Sequence, residues 1–103
     1  MSSFRVDFDP RGVTDGLKLP VFLRKRIRRQ LDYLRAAPYR SHPAVQVKEI
    51  AEVRGVWRFH TSKDVRVFYT VQGDLVWVLM IERSPGITRK TTGELRRRLG
   101  TRI

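Results

Sequence analysis

The sequence predicts an α+β fold: an N-terminal strand, two helices, a four-strand antiparallel meander curled around the long helix, and a short C-terminal helix. Three observations support it. One long stretch in the first third has a helical period, four strand-like stretches follow it in succession, and turn residues separate them. Strands and helices that are segregated along a chain are typical of this class. A chain of 103 residues is long enough for one core, so residues 1–103 are expected to form a single domain.

The N-terminal part begins with FRVDF, residues 4–8, which alternates like a strand. Asp9 and Pro10 then predict a turn or short helix, with Asp9 as the cap and Pro10 at the first helical position. Pro20 starts the long helix, VFLRKRIRRQLDYLRAA, residues 21–37. Its apolar residues recur at spacings of four, four and three and define one buried face. They are Leu23, Ile27, Leu31 and Leu34.

The second half reads as strands joined by tight connections. The predicted strands are AVQVKEI (44–50), VWRFHT (56–61), VRVFYTV (65–71) and LVWVLMI (75–81). The last of these is apolar at every position, which indicates a central strand covered on both faces. TTGELRRRLG, residues 91–100, predicts the final helix, with Thr91 or Thr92 as its cap.

Charge is the most informative property of the composition. Lysine and arginine total 22 against 10 acidic residues, a net charge of +12. Five basic residues lie in RKRIRR, residues 24–29, and seven more follow from residue 83 onward, with Glu94 alone opposing them. A clustered excess of this kind indicates a polyanionic partner, and nucleic acid is the usual one. The alternatives are that the charge only maintains solubility and that RKRIRR is the solvated face of an amphipathic helix.

Several classes of protein are disfavoured by composition. The absence of cysteine excludes disulfides and thiolate chemistry. The longest apolar run, residues 75–81, is too short to span a bilayer, and the first ten residues carry acids where a signal peptide is basic and then apolar. We therefore expect a soluble, cytoplasmic protein with no membrane association. His42 has no second histidine at a metal-binding spacing and no paired carboxylates nearby, so no metal site is expected. No small-molecule cofactor is expected either.

Residues 57–69, WRFHTSKDVRVFY, place basic residues on one face of two neighbouring strands. Because side chains alternate along a strand, Arg58 and His60 share a face. The short turn at residues 62–64 brings Arg66 alongside them, and Arg83 leaves the last strand close by. Phe68 is expected to form an apolar floor to this patch.

Such a patch suits phosphate chemistry. Guanidinium groups bind phosphates and neutralise charge that develops on them, and a histidine transfers protons near neutral pH. RNA is cleaved without a metal when its 2′-hydroxyl attacks the neighbouring phosphate. That reaction needs a base and an acid; His60 is a candidate for either, and a second proton carrier is wanted. The alternative is that these arginines are merely a solvated strand face.

The segment GVWRFHTSKDVRVFYTVQGDLVWVLMIER resembles the core of the RelE/ParE toxin family. The family pattern is a glycine, an aromatic, a basic strand, a turn, Tyr-Arg-Val-Ile-Tyr and an apolar strand, matched here by Gly55, Trp57-Arg58 and residues 65–69. FRVDFDPRG (4–12) and HPAVQVKEI (42–50) are similar to other family segments. The resemblance implies a type II toxin neutralised by an antitoxin protein. Many members cut messenger RNA on the ribosome, and others inhibit DNA gyrase.

The resemblance also implies roles for single residues. Arg66 matches the arginine that contacts the scissile phosphate, Arg58 and His60 match the basic positions of the preceding strand, and Arg83 lies near a basic position after the last strand. One departure is Thr88, which stands where active nucleases often have a tyrosine or histidine. Ribosomal RNA is expected to be held by a further basic set. These residues are Lys63, Arg24, Lys25, Arg28, Arg89 and Lys90.

The leading hypothesis is therefore a ribosome-dependent, metal-independent endoribonuclease toxin whose partners are an antitoxin, the ribosome and messenger RNA. One alternative is a toxin of the same fold that inhibits gyrase, which Thr88 favours. The other is an inert RNA-binding relative.

Overall fold

The fold is a mixed sheet with helices packed on both of its faces. The computed structural model describes residues 3–84 and 86–101. Its elements are β1 (Arg5–Phe8), α1 (Pro10–Leu17), α2 (Val21–Leu34), β2 (Val47–Glu49), β3 (Val56–Ser62), β4 (Val65–Gln72), β5 (Leu75–Arg83) and α3 (Arg89–Gly100). The strand order is β1-β5-β4-β3-β2, with β1 parallel to β5 and the other neighbours antiparallel. The predicted α+β class and the four-strand meander are confirmed.

The long helix ends three residues earlier than predicted. Pro38 has no N–H to donate to the carbonyl of Leu34, so the helix cannot continue to it with a complete set of hydrogen bonds. The carbonyl of Arg35, the C-terminal cap, instead accepts from the N–H of Phe4 at 2.8 Å. Strand β2 is also shorter than residues 44–50, because His42 and Val45 bond each other in a tight loop.

Two apolar layers hold the fold together. Between α2 and one face of the sheet lie the four predicted helix residues, all at most 4% exposed, together with Phe59, Val67 and Tyr69. Beneath α3, on the other face, Phe68 and Leu79 pack with Leu95. Because β5 contributes to both layers, the predicted burial of LVWVLMI on both sides is confirmed.

Helix α1 covers the part of the β5 edge that β1 leaves open. It approaches closely at Gly12, where a Cβ atom would lie 3.1 Å from the carbonyl oxygen of Val78. Beyond that point the strand's backbone groups are bonded to charged side chains. Asp15 accepts from the N–H of Ile81 at 3.1 Å, and Arg98 donates to the carbonyl of Leu79 at 2.8 Å.

Helix α3 begins at Arg89, two residues before the predicted start. Its cap is Thr88, and the prediction of Thr91 or Thr92 is wrong. The Thr88 hydroxyl accepts from the N–H of Thr91, whose own hydroxyl accepts from the N–H of Thr88 at 3.2 Å in each case. This reciprocal capping box explains the earlier start. None of the helices in the described residues is long and apolar enough to cross a membrane.

Candidate functional site

Strand register brings Arg58, His60 and Arg66 to one face of the sheet, and we call these three residues the basic patch. His60 lies directly opposite Arg66 on β4, and Arg58 lies opposite Phe68. Paired residues in an antiparallel sheet point to the same side. The face is the one opposite α2, because the intervening Phe59 is fully buried in the layer beneath that helix.

Arg58 and His60 are in direct contact. A guanidinium nitrogen of Arg58 lies 3.3 Å from Nδ1 of His60, and since a guanidinium only donates, Nδ1 is the acceptor. The pKa of His60 is lowered below its usual value, mainly because the ring is partly buried. The positive charges of Arg58 and Arg66 lower it further. The imidazole is therefore mainly neutral at neutral pH in the free protein.

Arg66 is held by the segment that follows β5. Its guanidinium donates to the carbonyl oxygen of Ser84, and the Ser84 N–H is itself bonded to the carbonyl of Asp64 at 2.7 Å. The neighbouring Phe68 is completely buried under α3. Phe68 therefore lies beneath the patch, as predicted, but its ring is covered by protein and offers no open apolar surface to a ligand.

Glu82 lies on the same face, although the sequence analysis did not predict it as a site residue. It lies opposite Arg66 on β5, so His60, Arg66 and Glu82 form one row across three strands. The half-buried Glu82 accepts a hydrogen bond from the Thr91 hydroxyl at 2.8 Å. The sequence feature that could have pointed to it is that Glu82 is the only acidic residue among residues 75–83.

Arg83 does not join the basic patch, contrary to the prediction. A β-bulge between Phe68 and Tyr69 adds Leu79 as an extra residue on β5. Strict alternation from Val78 would place Arg83 on the patch side, but the extra residue reverses the side of every later position. Arg83 is therefore opposite Val65, on the α2 side, and pairs with Asp64 at 3.5 Å.

The basic residues of α2 lie on the other side of the molecule from the patch. Arg24, Lys25 and Arg28, which we call the α2 ridge, are on a helix that packs against the opposite face of the sheet. Lys25 and Arg28 are exposed, while Arg24 is half-buried beside α1. The structure thus places these three predicted RNA-binding residues on the opposite side of the sheet from the three predicted catalytic residues of the basic patch.

The remaining predicted contacts lie nearer the patch. Lys63 is exposed in the turn that joins β3 to β4. Arg89 and Lys90 are exposed in the first turn of α3, and Lys90 lines the same cleft as Glu82. Positive charge at a helix N-terminus is disfavoured by the helix dipole, so a bound polyanion would relieve this arrangement. Within residues 3–84 and 86–101 there is no cluster of three or more metal-ligating side chains.

Comparison with known proteins gives a structural likeness only. No family model matches the sequence, and no curated protein matches it. A solved structure of a doubly substituted Escherichia coli toxin RelE in the free state superimposes with a TM-score of 0.72 and 20% identity, covering 96% of this chain and 99% of that one.

Two archaeal complexes are also similar in fold. RelE in the RelE–RelB complex of Pyrococcus horikoshii gives a TM-score of 0.66 at 21% identity, over 85% of this chain and 100% of that one. The RelB–RelE antitoxin–toxin complex of Methanococcus jannaschii gives 0.59 at 19% identity, over 74% and 87%. This chain therefore has the fold of the RelE/ParE toxins.

Proposed function

We propose that this chain is the toxin of a type II toxin–antitoxin system and that it cleaves messenger RNA on the ribosome. The observation that supports this best is the convergence of Arg58, His60 and Arg66 on one face. Two guanidinium groups beside an imidazole suit a scissile phosphate, because they bind its oxygens and stabilise the charge that develops during cleavage. His60 would transfer one of the two protons.

The reaction would follow from RNA's own nucleophile. The 2′-hydroxyl attacks the adjacent phosphorus, the bond to the 5′-oxygen breaks, and the products carry a 2′,3′-cyclic phosphate and a 5′-hydroxyl. This route needs proton transfer and positive charge, and it does not require a metal ion or a cofactor. The exposed Lys63, Arg89 and Lys90, together with the α2 ridge, would hold ribosomal RNA by its phosphates.

An antitoxin is the second proposed partner. The structural neighbours from P. horikoshii and M. jannaschii are both complexes of RelE with RelB. The net charge of +12 favours an acidic protein in this role. Such a partner would suppress cleavage by covering basic surface. Co-expression with the proposed antitoxin should yield a complex that no longer cleaves RNA.

A coupled translation reaction tests the proposed activity. The protein is added, and the 5′ ends of the message are mapped. Cuts in phase with the codons are expected from the wild-type protein and from Arg97→Ala, which removes an exposed arginine far along α3. Arg66→Ala should abolish them. Intact message in the wild-type reaction contradicts the proposal: a simultaneous block of DNA supercoiling would indicate a gyrase inhibitor, and no effect on either would indicate an inert RNA-binding protein.

A further inference from the structure

Cleavage by a 2′-hydroxyl needs a base for the attacking oxygen and an acid for the leaving oxygen. His60 fills one role, and the arginines fill neither because a guanidinium stays protonated. Thr88, which stands where active nucleases of the resembled family often have a tyrosine or histidine, uses its hydroxyl to cap α3. A second proton carrier therefore has to come from elsewhere on this face.

Glu82 occupies the right place in the row. Neighbouring strands are about 4.8 Å apart. The Cα atoms of His60 and Glu82 are therefore about 10 Å apart, and Arg66 lies on the strand between them. A base and an acid must each come within about 3 Å of a reacting oxygen. The spacing across the three strands leaves room between them for the attacking oxygen, the phosphorus and the leaving oxygen in line. Arg66 would then lie at the phosphate itself.

The carboxylate of Glu82 is held in a defined orientation. Thr91 is only 1% exposed, and its hydroxyl accepts from the N–H of Thr88 and so donates its own proton to Oε1 of Glu82. Among the residues described, none donates a hydrogen bond to Oε2. One oxygen of the carboxylate is thus fixed by the protein, and the other is available to a ligand.

We propose that Glu82 is the general base of this site and His60 its general acid, an assignment that rests on the proposed nuclease function. Oε2 of Glu82 takes the proton of the 2′-hydroxyl as the 2′-oxygen bonds to phosphorus. The bond from phosphorus to the 5′-oxygen breaks, and the imidazolium of His60 gives that oxygen its proton. Glu82 ends protonated and His60 neutral, and exchange with water restores both.

Substrate binding prepares His60 for the acid role. In the free protein Arg58 donates to Nδ1 and, with Arg66, disfavours the imidazolium. A bound phosphate attracts both guanidinium groups and adds negative charge beside the ring. Nδ1 is then released from Arg58, and the protonated form is favoured when the substrate is in place.

Single-turnover cleavage on ribosomes programmed with a defined message tests the assignment. Glu82→Gln keeps an oxygen for the Thr91 hydrogen bond, so it should fold with a thermal midpoint close to that of the wild type. Its cleavage rate should fall roughly 10²–10⁴-fold. Asp32→Asn is the matched control, since it removes one exposed negative charge from α2, on the opposite side of the sheet. It should cleave at the wild-type rate.

A sulfur leaving group separates the two roles. When the scissile 5′-oxygen is replaced by sulfur, the departing thiolate needs no proton, so His60→Ala should recover most of its lost rate. Glu82→Gln should stay slow on the same substrate. Two results overturn the acid–base assignment and leave the nuclease proposal intact. In one, the sulfur substrate restores the cleavage rate of Glu82→Gln; in the other, Glu82→Gln cleaves the oxygen substrate at the wild-type rate. A wild-type protein that cleaves neither substrate overturns the nuclease proposal and this role with it.

Discussion

The basic patch and the α2 ridge use similar side chains in different ways. In the patch, Arg58 contacts His60 and Arg66 is bonded to the Ser84 carbonyl. In the ridge, Lys25 and Arg28 extend into solvent, and no salt bridge to either occurs within the described parts of the chain. Charges fixed by neighbours suit a transition state, which demands geometry. Free charges suit a phosphate backbone, which demands only proximity.

Arg98 is a buried, paired arginine and extends the comparison to stability. It is 7% exposed, and its guanidinium donates to Asp15 at 2.7 Å and to the Leu79 carbonyl at 2.8 Å. Arg98→Ala removes the charged partner of the Asp15 carboxylate, which keeps the Ile81 N–H, and leaves the Leu79 carbonyl without its donor. The free energy of unfolding should therefore fall by about 3–5 kcal/mol. Denaturant unfolding measures this loss.

Arg97 is the matched control on the same helix. Its side chain is 69% exposed and, among the described residues, pairs only with Glu94. Arg97→Ala should therefore change the free energy of unfolding by at most about 1 kcal/mol. Equal losses for the two variants would mean that burial and pairing do not distinguish these arginines.

Ribosome binding tests the ridge. Replacing Arg24, Lys25 and Arg28 with glutamine should weaken binding and reduce the slope of log affinity against log salt by about one for each phosphate that the variant no longer binds. Arg66→Ala should change that slope by about one at most. Binding titrations at several salt concentrations measure both slopes. A triple variant with the wild-type slope would show that the ridge faces away from the ribosome.

Much of this contrast could be predicted from the sequence. Alternation in residues 56–61 predicted that Arg58 and His60 share a face, and the short turn predicted Arg66 beside them. The register that achieves this includes a β-bulge between His60 and Ser62, without which Arg66 would pair with Thr61 and face the other side. The period of α2 identified its buried residues. The alternation of Arg58 with His60 and the period of α2 depend on local spacing, which a sequence displays directly.

The errors and omissions arise where the position of a residue or strand depends on distant contacts. The bulge at Leu79 exchanges the sides of Glu82 and Arg83, and no residue type in that apolar run marks it. The parallel pairing of β1 with β5 joins segments about 70 residues apart. The cap at Thr88 depends on the Thr91 hydroxyl. The same hydroxyl donates to Glu82 and so links α3 to the sheet. Alternation and helical period describe neighbours in sequence, so they could not reveal these contacts.

His60 should give the smallest effect, seen in the pH dependence of stability. Its pKa is lowered in the folded protein, so between that value and the ordinary pKa of about 6.5 the unfolded chain binds more protons. Stability should therefore rise with pH across this window. Thermal midpoints from about pH 5 to pH 8 should rise less steeply for His60→Gln than for the wild type. Identical slopes would contradict the lowered pKa.

Cleavage rate measured against ribosome concentration tests most directly whether the patch performs chemistry while the ridge only binds. Arg66→Ala should lower the saturated single-turnover rate roughly 10²–10³-fold and leave the half-saturating concentration nearly unchanged. The triple variant of Arg24, Lys25 and Arg28 should raise the half-saturating concentration and keep the saturated rate. If Arg66→Ala instead cuts at the wild-type rate once saturated, the patch is a binding surface and the account is wrong.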